Sequence, residues 1–206
     1  MKLSKLQYIS QGTTAKEQAY HIQQALDHGA DWIQLRWKTA ADEERIKLAE
    51  QVKQQCQQYQ AICIINDSIA VAKHIDADGV HLGLDDEGIE KARSVLGQGK
   101  IIGGTANTIT DVIKRIDEGC SYIGLGPYRT TRTKEKLSPI LGLEGYREIM
   151  QYLKNRAIHC PPIYAIGGIG LTDIQSLLAE GIYGVAVSKV ITDTPTIVSD
   201  FKKRLR

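Results

Sequence analysis

Two kinds of segment alternate along this chain from end to end, and this alternation constrains its fold more than any other feature. Short apolar runs are predicted strands, and several are continuously apolar, as parallel strands covered on both faces should be. There are eight of them: Leu6–Ile9, Trp32–Arg36, Ala61–Ile65, Gly79–His81, Ile101–Gly103, Tyr122–Leu125, Ile163–Ile166 and Gly184–Val187. Longer runs rich in Gln, Glu, Lys and Ala are predicted helices: Thr14–His28, Ala41–Tyr59, Ile69–Ile75, Ile89–Leu96, Thr108–Glu118, Leu143–Lys154, Leu171–Ala179 and Thr196–Leu205.

Eight strand–helix units favour a closed (β/α)8 TIM barrel over an open doubly wound sheet, because closure leaves no strand edge exposed. The alternation alone does not exclude a flavodoxin-like sheet. The chain has 206 residues, short for a barrel that typically has about 250, so we predict a single barrel domain over residues 1–206. The segment Arg129 to Leu141 is the one long predicted loop, and it is a lid candidate.

Several predicted helices are flanked by residue types that favour helix ends. Thr14 and Thr172 are predicted N-caps, because a threonine hydroxyl accepts a hydrogen bond from an unpaired backbone N–H. Four glycines stand where helices should stop, since glycine adopts positive φ without a Cβ penalty: Gly29, Gly97, Gly119 and Gly181.

Composition excludes some classes of partner. Lys plus Arg is 26 and Asp plus Glu is 24, which is too balanced to favour nucleic acid or a membrane surface as the main partner. No apolar run approaches the roughly 18 residues of a membrane span. The four cysteines lack the paired short spacing of zinc or redox motifs, and nothing resembles a secretory signal, so we predict a reduced, cytoplasmic protein.

Polar residues follow the predicted strands at their carboxyl ends, where the chemistry of a barrel is found. After strand two, alternation puts Gln34, Arg36 and Lys38 on one face, although a solvated strand end would look the same. Asp67 follows strand three and Asp86 follows strand four, and Mg²⁺ uses one or two such carboxylates together with substrate phosphates. The alternative for Asn66 and Asp67 is an N-cap of the third helix. His81 is better explained by packing against the barrel wall.

The later strands end in groups suited to anions. Gly103 to Thr108 forms a small-residue turn with hydroxyl and amide groups, and Thr130 to Lys136 is a hydroxyl and cation cluster that could otherwise be an ordinary basic loop. The pair Gly167 and Gly168, together with the amides around Ser188, predicts a phosphate pocket in the usual barrel position. Tight turns are the alternative. Together these groups predict two phosphorylated ligands, one of them bridged by a metal.

The chain resembles the thiamine phosphate synthase family, and the resemblance covers nearly all of it. It rests on motifs in family order and spacing: Gln34-Leu35-Arg36-Trp37-Lys38, Ile65-Asn66-Asp67, Ala77-Asp78-Gly79-Val80-His81-Leu82-Gly83, Tyr122-Ile123-Gly124-Leu125-Gly126-Pro127, Thr131-Arg132-Thr133-Lys134 and Ile166-Gly167-Gly168-Ile169. The resemblance implies an enzyme that joins 4-amino-2-methyl-5-(diphosphomethyl)pyrimidine to a thiazole phosphate, either hydroxyethylthiazole phosphate or its carboxylated form. The products are thiamine phosphate and pyrophosphate.

The resemblance also implies roles for individual residues. The pyrimidine diphosphate site would consist of Gln34, Leu35, Arg36, Trp37, Lys38, Asn66, Thr105 and Lys134. The thiazole phosphate site would consist of Thr131, Arg132, Thr133, Gly168, Ser188 and Lys189. Asp67 and Asp86 would hold one Mg²⁺ per subunit, with Asp86 preferred to Asp85 by register. The implied mechanism is dissociative, with Lys134, Arg36 and Lys38 as the catalytic cations that stabilise departing pyrophosphate.

Some positions depart from the family pattern: Leu84, Asn107, Ser188-Lys189 and the segment Tyr128-Arg129-Thr130. Two other functions remain open. A thiazole tautomerase-like enzyme shares the barrel and the phosphate pocket, but it lacks the metal aspartates and uses a histidine where this chain has Asn107. A non-catalytic protein that binds thiamine precursors is the second alternative. The expected partners are small molecules, and a homo-oligomer is left open.

Overall fold

The computed structural model describes residues 3–130 and 139–206. Within them, eight parallel strands pair in sequence order and close on themselves, as β1 also pairs with β8. The predicted (β/α)8 barrel is therefore confirmed. The strands are β1 Leu6–Ile9, β2 Trp32–Leu35, β3 Ile62–Asn66, β4 Gly79–Leu82, β5 Ile101–Ala106, β6 Tyr122–Leu125, β7 Ile163–Ile166 and β8 Gly184–Val187.

The helices lie outside this barrel: α1 Ala15–Asp27, α2 Asp42–Gln58, α3 Ile69–His74, α4 Ile89–Leu96, α5 Ile109–Asp117, α6 Gly142–Asn155, α7 Ile174–Ala179, α8 Lys189–Asp193 and α9 Val198–Arg204. Short 3₁₀ turns at Leu171–Asp173 and Pro195–Ile197 lead into α7 and α9. Among the described residues, no helix combines the length and apolar character needed to cross a membrane.

Most predicted helix ends lie within a residue or two of the observed ones. Thr14 caps α1 by accepting a hydrogen bond from the backbone N–H of Glu17, and the four predicted glycines all have positive φ. The prediction for Thr172 is wrong, because it lies inside the 3₁₀ turn and the Asp173 carboxylate accepts from Gly170 N–H instead. Helix α8 was not predicted, since five residues are too few to establish a helical period.

Two layers of core result from the alternation of side chains along the strands. Ile33, Ile65 and Ile123 face outward and pack under the helices. On the inner face, Trp32, Ile64, Tyr122 and Tyr164 fill the barrel below its carboxyl end. The Trp32 ring meets those of Tyr122 and Tyr164 edge to face, with centroids 4.9 and 5.1 Å away. At this level the barrel interior is therefore filled by side chains.

Candidate active site

Asp67 and Asp86 come from neighbouring strand ends, and their carboxyl groups are in hydrogen-bond contact. Asp67 directly follows β3 and has left-handed backbone, with φ of 66° and its N–H bonded to the His81 carbonyl at 2.8 Å. Asp86 Oδ2 accepts from Gly83 N–H at 2.6 Å, which holds the loop after β4 against the mouth. Asp85 is exposed, whereas Asp86 is half-buried beside Asp67.

The electrostatics of the two carboxyl groups differ. Burial raises the pKa of Asp67, but the hydrogen bond with Asp86 and the ion pair with Lys38 outweigh it and bring this pKa below its usual range. Burial, reinforced by the hydrogen bond with Asp67, raises the pKa of Asp86. Two carboxylates this close repel when both are charged, so ionisation of one disfavours ionisation of the other, and Asp86 is the harder of the two to ionise.

Cations border this pair on the side of β2. Lys38 Nζ lies 2.8 Å from Asp67 Oδ2, with about half of the lysine side chain exposed. Arg36 is more buried, which lowers its pKa, and the charge of Asp67 acts in the opposite direction. The Arg36 backbone N–H donates to the Ser10 hydroxyl at 2.9 Å, which ties the end of β2 to the loop after β1. Both predicted cations thus stand beside the carboxyl pair.

The other residues predicted for the pyrimidine diphosphate site on β2 and β3 have side chains that point in different directions. Gln34 lies in the barrel interior, where its amide donates to Gln7 Oε1 at 3.0 Å. Leu35 is buried in the outer core and Trp37 packs against that core, so their side chains face the helices. Asn66 ends β3 on the same face as Ile64. Helix α3 is capped by Ser68, which removes the alternative in which Asn66 or Asp67 serves as the cap.

Thr105 is held at the end of β5, facing the interior, by contacts on both sides. Its hydroxyl lies 3.0 Å from His81 Nε2, so His81 packs inside the barrel as predicted. Its carbonyl accepts from Arg115 Nε at 3.0 Å, and the same arginine donates to the Gly83 carbonyl at 2.8 Å. Arg115 therefore braces the ends of β4 and β5 from behind, a role that the amphipathic pattern of α5 did not reveal.

The glycine turn after β7 has left-handed backbone, with φ of 88° at Gly167 and 76° at Gly168. It is joined to the end of β6, because Arg129 N–H donates to the Gly167 carbonyl at 2.9 Å. The Arg129 guanidinium makes two 2.6 Å bonds to Asp173 and donates to the Gly168 carbonyl at 2.9 Å. No local sequence pattern predicted this contact between Arg129 and Asp173, because the two residues are 44 positions apart in the chain.

The predicted site residues after β8 have side chains that contact other residues of the chain. The Ser188 hydroxyl donates to the Ile9 carbonyl at 2.6 Å, and Lys189 Nζ pairs with Asp193 at 2.6 Å. The Ser188 hydroxyl is thus bonded within the fold, whereas the Lys189 ion pair is an exposed one on the surface of α8. Four other predicted site residues lie outside the described part of the chain: Thr131, Arg132, Thr133 and Lys134. Most of the lid candidate lies there too.

The donor set at the mouth fits Mg²⁺. Among residues 3–130 and 139–206, no cluster of three or more His, Cys, Asp or Glu side chains is arranged to hold a metal ion. Two carboxyl groups in contact are sufficient here, because Mg²⁺ commonly takes one or two carboxylates and completes its shell with water and substrate phosphates. The Asp67 and Asp86 carboxylates repel each other when both are ionised, and a bound cation would relieve that repulsion.

Fold and site together define a class of protein: a (β/α)8 barrel with carboxylates, cations and a glycine turn at its carboxyl-end mouth. Residues 6–191 match the model of the thiamine monophosphate synthase family. The chain belongs to this family, which confirms the resemblance.

Two relatives and one solved structure extend the comparison. The thiamine-phosphate synthase of Flavobacterium johnsoniae is 55% identical over 202 residues, which cover 98% of this chain and 92% of the relative. That of Flavobacterium psychrophilum is 52% identical over 205 residues, covering 98% and 99%. A structure of thiamine phosphate pyrophosphorylase from Pyrococcus furiosus superposes with a TM-score of 0.82 at 29% identity, covering 98% of this chain and 93% of that one.

Proposed function

We propose that this chain is a transferase that condenses 4-amino-2-methyl-5-(diphosphomethyl)pyrimidine with a thiazole phosphate. The C–O bond between the methylene carbon and the diphosphate breaks, its electron pair leaves with pyrophosphate, and the thiazole nitrogen forms the new C–N bond. Family membership supports the reaction. The observation that carries it is the Asp67–Asp86 contact with Lys38 beside it, because it combines a metal-binding pair with a cation for a diphosphate.

The residues of the chain would act mainly by positioning and by charge. Arg36 and Lys38 bind the diphosphate and stabilise the negative charge that develops on the leaving pyrophosphate. Gln34 and Thr105, which both face the barrel interior, bind the pyrimidine ring. Leu35, Trp37 and Asn66 complete this subsite, the first two through backbone atoms because their side chains face the helices. Lys134 is assigned to the same diphosphate on the motif alone.

Asp67 and Asp86 would hold one Mg²⁺ per subunit. When bound, the ion supplies positive charge against pyrophosphate oxygens. The other phosphate would lie against the backbone of Gly168, Ser188 and Lys189, with Thr131, Arg132 and Thr133 contacting the thiazole phosphate. The left-handed glycines support this assignment, since they let a phosphate approach the main chain closely.

An assay of the purified chain with both substrates tests the proposal. We expect thiamine phosphate and pyrophosphate to appear in equal amounts, and we expect both to disappear when Mg²⁺ is chelated and to return when it is restored. Binding of a thiazole phosphate without turnover would favour the precursor-binding protein. Interconversion of thiazole tautomers without condensation would favour the tautomerase-like enzyme, although Asn107 donates its buried amide to the Gly126 carbonyl and offers no acid–base group.

We also propose a cytoplasmic location, supported by cysteine chemistry. All four cysteines are free thiols, and Cys56, Cys63 and Cys120 are buried. Free buried thiols are ordinary in a reducing compartment. Fractionation of the source cells, with the chain detected by antibody, would test this, and recovery outside the cytoplasm would contradict it.

A further inference from the structure

A line of buried polar side chains crosses the barrel interior from one side of the mouth to the other. Gln34 on β2 donates to Gln7 Oε1 at 3.0 Å, and Gln7 Nε2 donates to the Tyr122 oxygen at 3.2 Å. The Tyr122 hydroxyl lies 3.0 Å from His81 Nδ1, and His81 Nε2 lies 3.0 Å from the Thr105 hydroxyl. The line therefore begins and ends at two residues assigned to the pyrimidine subsite.

The register of three strands makes this line continuous. His81 on β4 pairs with Gly103 on β5, and Gly103 pairs with Tyr122 on β6. A Cβ atom at Gly103 would lie 2.2 Å from Tyr122 Cζ and 2.6 Å from His81 Nδ1. Because this position is glycine, the tyrosine hydroxyl can reach across β5 to the histidine.

The donors and acceptors along the line determine where its hydrogens lie. The Tyr122 oxygen accepts a hydrogen bond from the Gln7 amide at 3.2 Å. Its own hydrogen is then directed to His81 Nδ1. His81 therefore carries its hydrogen on Nε2 and donates it to Thr105. This tautomer follows from the network rather than from the ring itself.

We infer that Gln7, Tyr122 and His81 are positioning residues that set the hydrogen-bonding pattern of the pyrimidine subsite. Gln34 donates through Nε2 to Gln7 at 3.0 Å, which leaves Oε1 as an acceptor for a ligand. Thr105 accepts from His81, so it meets a ligand with its hydroxyl hydrogen. An acceptor and a donor together suit a 4-aminopyrimidine, in which the amino group donates and the ring nitrogen accepts.

This inference rests on the proposed function and adds a basis for specificity. A 4-oxopyrimidine reverses the pattern, with an accepting carbonyl beside a donating N–H. A site whose buried polar groups are fixed rejects such an analogue strongly, since the mismatch leaves those groups unpaired. If the network were broken, the Gln34 amide group could rotate and present either its oxygen or its N–H. The site would then bind either pyrimidine.

Binding of two unreactive analogues tests the inference. Both carry a methylene group in place of the ester oxygen, so pyrophosphate cannot leave, and they differ only in having a 4-amino or a 4-oxo group. With Mg²⁺ present, we expect the wild type to bind the amino analogue on the order of 100-fold more tightly. We expect Tyr122→Phe to lower that ratio by about tenfold through loss of one network hydroxyl, with thiazole phosphate affinity unchanged.

Tyr164→Phe is the matched control. Tyr164 is another buried tyrosine of the inner layer, but its hydroxyl donates to the Ser4 carbonyl at 2.7 Å, outside the network. We expect this variant to lose stability and keep the ratio. A ratio that is unchanged in Tyr122→Phe, or that falls equally in Tyr164→Phe, would overturn the inference alone. A wild type that binds neither analogue would overturn the proposed function as well.

A spectroscopic readout tests the network without substrate. In ¹⁵N-labelled wild-type protein, we expect the His81 ring to carry its hydrogen on Nε2, with Nδ1 shifted by the bond from Tyr122. Tyr122→Phe should remove that shift, and Tyr164→Phe should retain it. A hydrogen on Nδ1 in the wild type would contradict the inferred direction of the network.

Discussion

At the scale of single residues, the site depends on a few side chains whose chemistry is altered by their neighbours. Asp67 is held ionised by Lys38 and by its bond to Asp86, whose own pKa is raised by burial and by that bond. An isolated carboxyl group on the surface would ionise normally and attract a cation only weakly. Because the two carboxyl groups are in contact, each alters the ionisation of the other.

Replacing either carboxylate should remove most of the activity. We expect Asp67→Asn and Asp86→Asn each to lower kcat by about 100-fold or more, because the positive charge held against pyrophosphate is lost. Asp85→Asn is the matched control and should be close to wild type, since Asp85 is exposed. Steady-state kinetics with circular dichroism as a check on folding would measure this. A normal rate in Asp86→Asn together with a loss in Asp85→Asn would reverse the assignment.

Binding of the thiazole phosphate should be sensitive to the addition of a side chain at Gly168. Its φ is 76°, and a Cβ atom there would lie 3.0 Å from Arg129 Cβ. We expect Gly168→Val to raise the KM for the thiazole phosphate by about tenfold, with little change in the KM for the pyrimidine diphosphate, because a phosphate must approach this backbone closely.

Gly97→Val separates backbone strain from the loss of the pocket. Gly97 also has positive φ, 92°, but a side chain there meets nothing within 4 Å. This variant should lose stability and keep both KM values. Equal increases of both KM values in Gly168→Val would remove Gly168 from the thiazole phosphate subsite.

At the scale of elements, loops after different strands are joined to form one mouth. Arg115 on α5 bonds to the carbonyl groups of Thr105 and Gly83, which joins the ends of β5 and β4. Next to it around the barrel, Arg129 and Asp173 join the loop after β6 to the glycine turn after β7. The positions of the binding groups therefore depend on contacts made by residues that need not touch a ligand.

Asp173→Asn tests the second of these joints. The hydrogen bonds from Arg129 lower the pKa of Asp173, so its stabilising effect is present above the unfolded value of about 3.9 and is lost as the pH falls through the lower folded value. Because Arg129 is half-exposed, we expect a loss of only about 1 kcal/mol at pH 7, and a smaller difference from wild type in acid. Urea denaturation at both pH values would measure it.

The exposed pair of Asp200 with Lys203 provides a control, since their atoms are 3.5 Å apart and both side chains are well exposed. Asp200→Asn should leave stability nearly unchanged at both pH values. If Asp173→Asn were equally destabilising in acid and at neutral pH, the negative charge of Asp173 would not be what stabilises its contact with Arg129.

At the scale of the whole molecule, closure of the barrel joins the two ends of the described chain. β1 pairs with β8, and Val185 N–H donates to the Lys5 carbonyl at 2.8 Å. Tyr164 and Tyr183 donate their hydroxyl hydrogens to the carbonyl groups of Ser4 and Leu3 at 2.7 and 2.9 Å. Because all eight strands belong to one closed sheet, weakening the pairing of β1 with β8 should lower the stability of the whole barrel.

Gly184→Ala should weaken the pairing of β8 with β1. A Cβ atom there would lie 2.3 Å from the Lys5 carbonyl oxygen and 2.8 Å from Tyr164 Cε1, so backbone must move. We expect a loss of about 3 kcal/mol in the free energy of unfolding, measured with urea. Gly88→Ala, where nothing lies within 4 Å, should change it by less than about 0.5 kcal/mol. Similar losses of unfolding free energy in both variants would mean that close packing where β1 meets β8 is not the cause of the destabilisation.

The sequence by itself predicted the eight strands, most of the helices and the closed barrel, although β5 continues to Ala106 through residues that were predicted as a turn. Local periodicity carries this information, because a strand that is buried on both faces must be apolar along its length and a helix must present an apolar stripe. The choice of Asp86 over Asp85 also came from the sequence, through the resemblance, and it stays a prediction. Where five residues were too few to show a period, as in α8, the prediction failed.

Only the tertiary structure decided which predicted side chains meet. Alternation already placed Gln34 and Leu35 on opposite faces, but it could not predict that Gln34 donates to Gln7 of the neighbouring strand in the barrel interior. The joint between Arg129 and Asp173, and the line from Gln34 through Tyr122 and His81 to Thr105, connect residues that are far apart along the chain. No local pattern encodes such pairs, because a hydrogen bond depends on where barrel closure places two strands in space, whereas periodicity reports only which face of its own element a residue occupies.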